Sequence, residues 1–170
     1  MTTKMFNKDS PEAAFIRVRN AESSSAIGLG VPCAFVMNAT NDGLDVVLQS
    51  TAAAAKATTL FAGIATHSIA AGTFGEVQVY GFCRNAVVIR QTRATVTDSF
   101  SSDPAIAIGD RLYVDTAGVG LKRSDAGAAS VGLAFAVACE TKASSASTVS
   151  TTSDTSLVKS NTIKVFLRAL

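Results

Sequence analysis

Tryptophan is absent from the 170 residues, and tyrosine occurs only as Tyr80 and Tyr113. Modules that hold sugars usually offer a platform of such rings, so the shortage counts against carbohydrate recognition. One histidine, His67, is present. A histidine-based metal site needs more ligands than that, and no G-x-S-x-G elbow accompanies it to supply a nucleophile. His67 reads as a loop residue. The three cysteines, Cys33, Cys83 and Cys139, are odd in number, widely spaced and free of any C-x-x-C pair. That pattern excludes a zinc knuckle and a fixed set of disulfides. It fits three buried thiols acting as small apolar residues in a protein made in a reducing compartment.

Long apolar runs are missing as well. No window reaches the roughly 18 residues of a membrane-spanning helix, and MTTKMFNKDSPE lacks the apolar centre of a secretion signal. The expectation is a soluble chain made in the cytoplasm, with no membrane partner. The formal net charge is only +2, with Lys and Arg scattered rather than striped, so no nucleic-acid partner is expected. Carboxylates are few; Asp42 with Asp45 and Asp98 with Asp103 read as exposed turn residues rather than an acid–base pair converging on a cleft. Gly28-x-Gly30 and Gly118-x-Gly120 lack the third glycine and the helix of a phosphate loop. No catalytic residue, cofactor or metal is therefore assigned, and an enzyme is not expected.

What the chain does contain is period-two alternation punctuated by glycine. From Glu76, Val77, Val79, Gly81 and Cys83 share one face, and Glu76, Gln78, Tyr80 and Arg84 the other. This is the signature of a half-buried strand in an antiparallel sheet, with Gly81 marking a bend or bulge. Ala86 to Ile89 continues it or forms the next strand. The run 131–140 alternates too, with Val131, Leu133, Phe135, Val137 and Cys139 opposite Gly132, Ala134, Ala136 and Ala138. The terminal TIKVFLRAL sets Ile163, Val165 and Leu167 against Lys164, Phe166 and Arg168.

Shorter signals fill in the rest. Cys33 to Met37 and Asp45 to Gln49 flank Asn41-Asp42-Gly43 and read as a hairpin. Leu60 to Thr66 reads as a strand. Arg111 to Asp115 and Leu121 to Arg123 read as another hairpin. The alanine-rich 50–59 reads as a linker or a single turn, with a short helix as the alternative, and the polar 92–104 as a surface loop. The Ser/Thr-rich 142–160 is too polar to order itself by burial. The predicted fold is mainly β, a small antiparallel β-barrel or β-sandwich with an extended N-terminal arm. It divides into an arm over 1–20 and one β domain over 21–170 that carries the 142–160 loop. Within the arm, Phe15 and Arg17 share one face and Ile16 and Val18 the other, as an edge strand or as an arm that pairs elsewhere.

Three blocks together resemble the capsid cement, or head decoration, proteins of tailed bacteriophages. The first holds Ala70-Ala71-Gly72, Gly75, Val77, Val79 and Gly81. The second holds Gly109-Asp110, Leu112, Tyr113 and Val114, and the third Val131-Gly132 and Ala134, before the closing strand at Ile163 to Leu167. The resemblance covers roughly 60–140 and the last strand. It implies a virion protein on the outer surface of the capsid, bound to the major capsid protein and forming a small homo-oligomer, with a trimer favoured. The candidate capsid-binding residues are Phe6, Phe15, Arg17 and Arg19, through strand addition by the arm. A tail or neck component and a non-catalytic β-sandwich binding module for sugars or cell surface are the alternatives.

Overall fold

The alternation at the centre of the chain becomes a single strand of 19 residues, Phe74–Thr92, around which the other strands are arranged. The computed structural model describes residues 13–36, 44–48, 60–92, 101–102, 105–114, 120–123, 135–142 and 158–168, with backbone alone at 90–92, 101–102 and 158–161. In chain order the strands are β1 (Ala14–Asn20), β2 (Pro32–Phe35), β3 (Asp45–Leu48), β4 (Phe61–Ala65) and β5 (Phe74–Thr92). They continue with β6 (Ser101–Ser102), β7 (Arg111–Val114), β8 (Leu121–Arg123), β9 (Ala136–Ala138) and β10 (Val158–Arg168). Among the described residues there is no helix, as the patterning requires.

The pairings close two rings that share β5. The first runs β1-β3-β2-β4-β5 and returns to β1; the second runs β5-β10-β9-β7-β8 and returns to β5. Both are mostly antiparallel. Each is closed by one short parallel contact, β1 with β3 at Arg19↔Asp45 and Asn20↔Val46, and β5 with β8 at Val88↔Leu121. Closure leaves few unpaired strand edges among the described residues, and so few templates for edge-to-edge pairing. The fold is thus the expected β-barrel-like architecture, with the barrel doubled.

Each ring has its own interior. Val18, Ile27, Val46, Ile69, Val77 and Val79 belong to the first; Leu112, Val114, Leu121, Ile163, Val165 and Leu167 belong to the second. The inward positions read from the alternation at 77–83 and 163–167 are all buried. β4 is the wall between the two interiors. Ala62 and Ala65 face the first, while Phe61 and Ile64 pack in the second, where Phe61 lies 4.7 Å from the Phe135 ring centroid. All five residues of β4 are consequently buried, and a strand buried on both faces reads as a continuous apolar run. Gly63 makes the wall possible: its φ is +143°, and a Cβ there would stand 2.5 Å from the Gln78 carbonyl oxygen.

β5 turns from one ring into the other at its kinks. Gly81 has φ +94°, as its place in the alternation predicts. Register shifts follow. Ile163 pairs with Ala86 and Val165 with Cys83, so Lys164 faces both Arg84 and Asn85. Such a bulge bends the strand and moves the inward row from odd residues before it to even residues after it, at Ala86 and Val88.

Two expectations are corrected, and the orientation of β9 is settled. Gln78 lies on the outward row yet is only 6% exposed. Its side chain folds along its own strand, and Nε2 donates to the carbonyls of Tyr80 (3.1 Å) and Phe82 (3.0 Å), bracketing the kink. Gln78→Ala should therefore cost about 1–2 kcal/mol, against less than about 0.5 kcal/mol for exposed Glu76→Ala; urea melts of the two variants measure the difference. On β9 the small face is the buried one: Ala136 and Ala138 are each 1% exposed, while Val137 and Cys139 are half-buried. β9 lies between β10 and β7, and large side chains from those neighbours fill the interior. Finally, the polar 92–104 segment contributes a strand, because β6 pairs with the end of β5 at Gln91↔Ser102. Residues 131–134, the 50–59 linker, the Asn41-Asp42-Gly43 turn and positions 143–157 of the Ser/Thr-rich loop lie outside the described residues.

Candidate interaction surface

The buried thiols offer no nucleophile. Desolvation pushes Cys33 up to about 12, only partly offset by a backbone hydrogen bond from Ala65, and burial also raises Cys83. A thiol so shifted is protonated at neutral pH and inert. The described cysteines are all free; Cys33 and Cys83 are buried as expected, whereas Cys139 is only half-buried. His67 is exposed, with Nδ1 3.1 Å from the Thr66 hydroxyl. Among the described residues no three of His, Cys, Asp and Glu gather as a metal site would require.

Asp45, expected to be an exposed turn residue, is instead buried at the start of β3, where its carboxylate is structural. Arg19 donates to both oxygens of Asp45, at 2.7 and 2.6 Å, and so ties β1 to β3 where the first ring closes. The Arg19 hydrogen bonds hold the Asp45 carboxyl below its ordinary value, against the opposing effect of burial. A carboxyl more acidic in the folded than in the unfolded protein stabilises the fold above the ordinary carboxylate range. That contribution is lost as pH falls through the lowered value. Asp45→Asn is expected to lose about 1 kcal/mol at pH 7, and to converge with the parent protein as falling pH protonates the carboxyl. Urea melts at pH 7 and through the acid range check both the size and the sign.

The outward face of β1, β5 and β10 is a different kind of surface. β1 lies antiparallel to the first part of β5, with Phe15 opposite Gln78 and Arg17 opposite Glu76. β10 lies antiparallel to the later part, with Phe166 opposite Phe82 and Arg168 opposite Tyr80. These registers line up rings that the sequence separates widely. Phe166 meets Tyr80 edge-on at 5.4 Å and Phe82 at 5.1 Å. Lys164 Nζ stands 5.0 Å above the Phe82 ring, and the Arg17 guanidinium 5.1 Å above Phe74. Phe15 and Phe74 are each 52% exposed, Phe82 40% and Tyr80 39%. Aromatic rings left in water with cations over their faces carry large contact area at little entropic cost, the composition that protein interfaces favour.

The four residues expected to bind a partner fall as follows. Phe6 lies outside the described residues. Phe15 and Arg17 stand on the exposed face just described, and Arg19 belongs to the Asp45 pair. Strand addition by residues 14–20 is not available, because β1 is already paired with β5 and, at its end, with β3. The arm expected over 1–20 is thus part of the sheet in its second half. Phe74, Tyr80, Phe82 and Phe166 were not singled out from the sequence. Alternation placed Tyr80 and Phe166 on outward rows, but only the β5–β10 register brings them together.

The fold and this face define the class in outline: closed β rings presenting an aromatic, cationic strip. The chain matches no family model and no curated protein. Among solved structures it is similar to the N base of the head fiber gp8.5 of bacteriophage phi29, with 16% sequence identity and a TM-score of 0.44, over 89% of this chain and 94% of that one. A likeness of that depth carries no argument about function.

Proposed function

We propose that the chain is a structural protein of a tailed-phage head that binds the major capsid protein lattice from outside and stabilises it. The observation that carries this reading is the exposed aromatic and cationic face on β1, β5 and β10, a contact surface on a scaffold with no catalytic grouping among its described residues. The resemblance to cement proteins supports it, since several of the residues that form the resemblance occupy structural positions here. Val77 and Val79 fill the first interior and Leu112 and Val114 the second, while Gly81 sets the kink of β5. The stabilisation follows mass action: a protein that binds the assembled lattice better than its separated subunits shifts the equilibrium toward the lattice.

The purified protein is expected to sediment with expanded, empty shells and not with isolated capsid subunits. Particles carrying it should release their DNA at a higher temperature than particles without it. Equal release temperatures, or tight binding to free subunits, overturn the proposal. Recovery of the protein only with tails replaces it by the tail or neck reading.

A further inference from the structure

The two rings are one unit used twice. In the first, β1 runs parallel to β3 and antiparallel to β5, β2 is antiparallel to β3 and to β4, and β4 is antiparallel to β5. In the second, the later half of β5 runs parallel to β8 and antiparallel to β10, β7 is antiparallel to β8 and to β9, and β9 is antiparallel to β10. Every ladder of one ring has its counterpart in the other. β5 is the last strand of the first unit and the first strand of the second.

The correspondence holds residue by residue. Ile27 bridges Ile69 as Ile106 bridges Lys142. The Gly30 amide donates to the Ala65 carbonyl as the Gly109 amide donates to that of Ala138. Cys33, Ala34 and Phe35 pair with Leu48, Val47 and Val46 as Leu112, Tyr113 and Val114 pair with Arg123, Lys122 and Leu121. The turns before β2 and β7 close the same hydrogen bond, Val31 to Gly28 and Asp110 to Ala107, with a positive-φ glycine third in each.

Matched in this way, Ala65↔Val77 overlays Ala138↔Val165, and Ile64↔Gln78 overlays Val137↔Phe166. Phe15, opposite Gln78, then falls on Phe82, opposite Phe166. Arg17, two residues further along the same outward row, falls on Arg84. All four side chains are exposed. An exposed Phe-x-Arg therefore stands on the first strand of each unit.

Packing gives a reason for like residues at buried matched positions, and backbone conformation gives one for the glycines. Neither asks for a half-exposed phenylalanine or an arginine in water. On the outward rows of these strands the other matched positions differ freely: Glu76 against Lys164, Gln78 against Phe166, Tyr80 against Arg168. The repeated pair on a strand face that otherwise differs marks a repeated contact. Its charge indicates the partner. Arg17, Arg84, Lys164 and Arg168 point outward on the described rows of β1, β5 and β10, where Glu76 is the one carboxylate. A complementary surface is acidic, with an apolar recess for a ring.

We propose that the chain docks through two equivalent sites, Phe15–Arg17 and Phe82–Arg84, onto two copies of one acidic, apolar-lined protein surface, as neighbouring subunits of a shell present. This rests on the reading of the chain as a lattice-binding protein. Each site alone is weak. Two sites on one rigid scaffold make the second contact intramolecular, so the assembled array is preferred over single subunits.

The test compares the parent protein with Phe15→Ser, Phe82→Ser and the double variant in sedimentation with expanded shells. Arg17→Gln and Arg84→Gln serve as a second, milder pair, and melting curves confirm that each variant folds. Either single change is expected to weaken shell binding about 100-fold, the scale of a lost second contact, and the double change to abolish it. Ser24→Ala, at an exposed bend outside these strands, should leave binding unchanged. If the parent protein does not bind shells, the functional reading falls and this inference with it. If the parent binds but only one site matters, or if Ser24→Ala is as damaging, the two-site inference is wrong while the functional reading stands.

Discussion

Gly30→Ala is expected to yield no folded protein. Gly30 has φ +78°, a region that strains any residue with a Cβ. The added carbon would also overlap the Asn85 carbonyl oxygen and press on the Val87 side chain. Backbone cannot swing aside as a flexible side chain can, and Asn85 lies in β5, the strand common to both rings. The Gly30 carbonyl in turn accepts from the Val87 amide at 2.9 Å, so relieving the clash breaks a bond between the units. Gly109 supplies the comparison. It occupies the matching turn with φ +90°, but a Cβ there meets nothing within 4 Å. Gly109→Ala should cost only the backbone strain, about 1–2 kcal/mol. Soluble yield and melting temperature of the two variants decide the point. Equal behaviour would show that the close approach of the β1–β2 turn to β5 is wrong.

Val79→Asp should be nearly as damaging. Val79 is 4% exposed in the first interior. Burying an unpaired carboxylate costs several kcal/mol, comparable with the 5–15 kcal/mol that holds a typical domain together. Phe135→Asp is expected to fail for the same reason in the second interior, where Phe135 packs on Phe61. A cooperative melt for either variant within a few degrees of the parent would show that the position is not enclosed.

Much of the strand content was legible because alternation is local. Val77, Val79, Ile163, Val165 and Leu167 needed only a neighbour of opposite character on each side to be assigned inward, and they are inward. The two hairpins were legible from turn residues between short apolar runs. Gln78 was read the wrong way, and the pattern at 131–139 did not say which face of β9 turns inward, because local pattern carries no information about what stands opposite. A glutamine on an outward row looks solvated until the kink at Gly81 turns two carbonyls toward its amide. An alanine face looks like a surface for another layer until the large side chains of β7 and β10 are found to occupy the space before it.

Residue chemistry and a period of two were enough for the class of fold, the inward rows at 77–83 and 163–167, the burial of Cys33 and Cys83, and the sharing of one face by Phe15 and Arg17. Tertiary structure decided that the chain closes into two rings rather than one, that β4 serves as a wall between two interiors, and that Phe74, Phe82 and Phe166 join Phe15 on one face. It also decided that the Phe-x-Arg of β1 matches the one in β5. The physical reason is common to all of these. They rest on strand register and on the parallel contacts Asn20↔Val46 and Val88↔Leu121, pairings between residues distant in sequence, whose backbone hydrogen bonds are indifferent to side-chain identity.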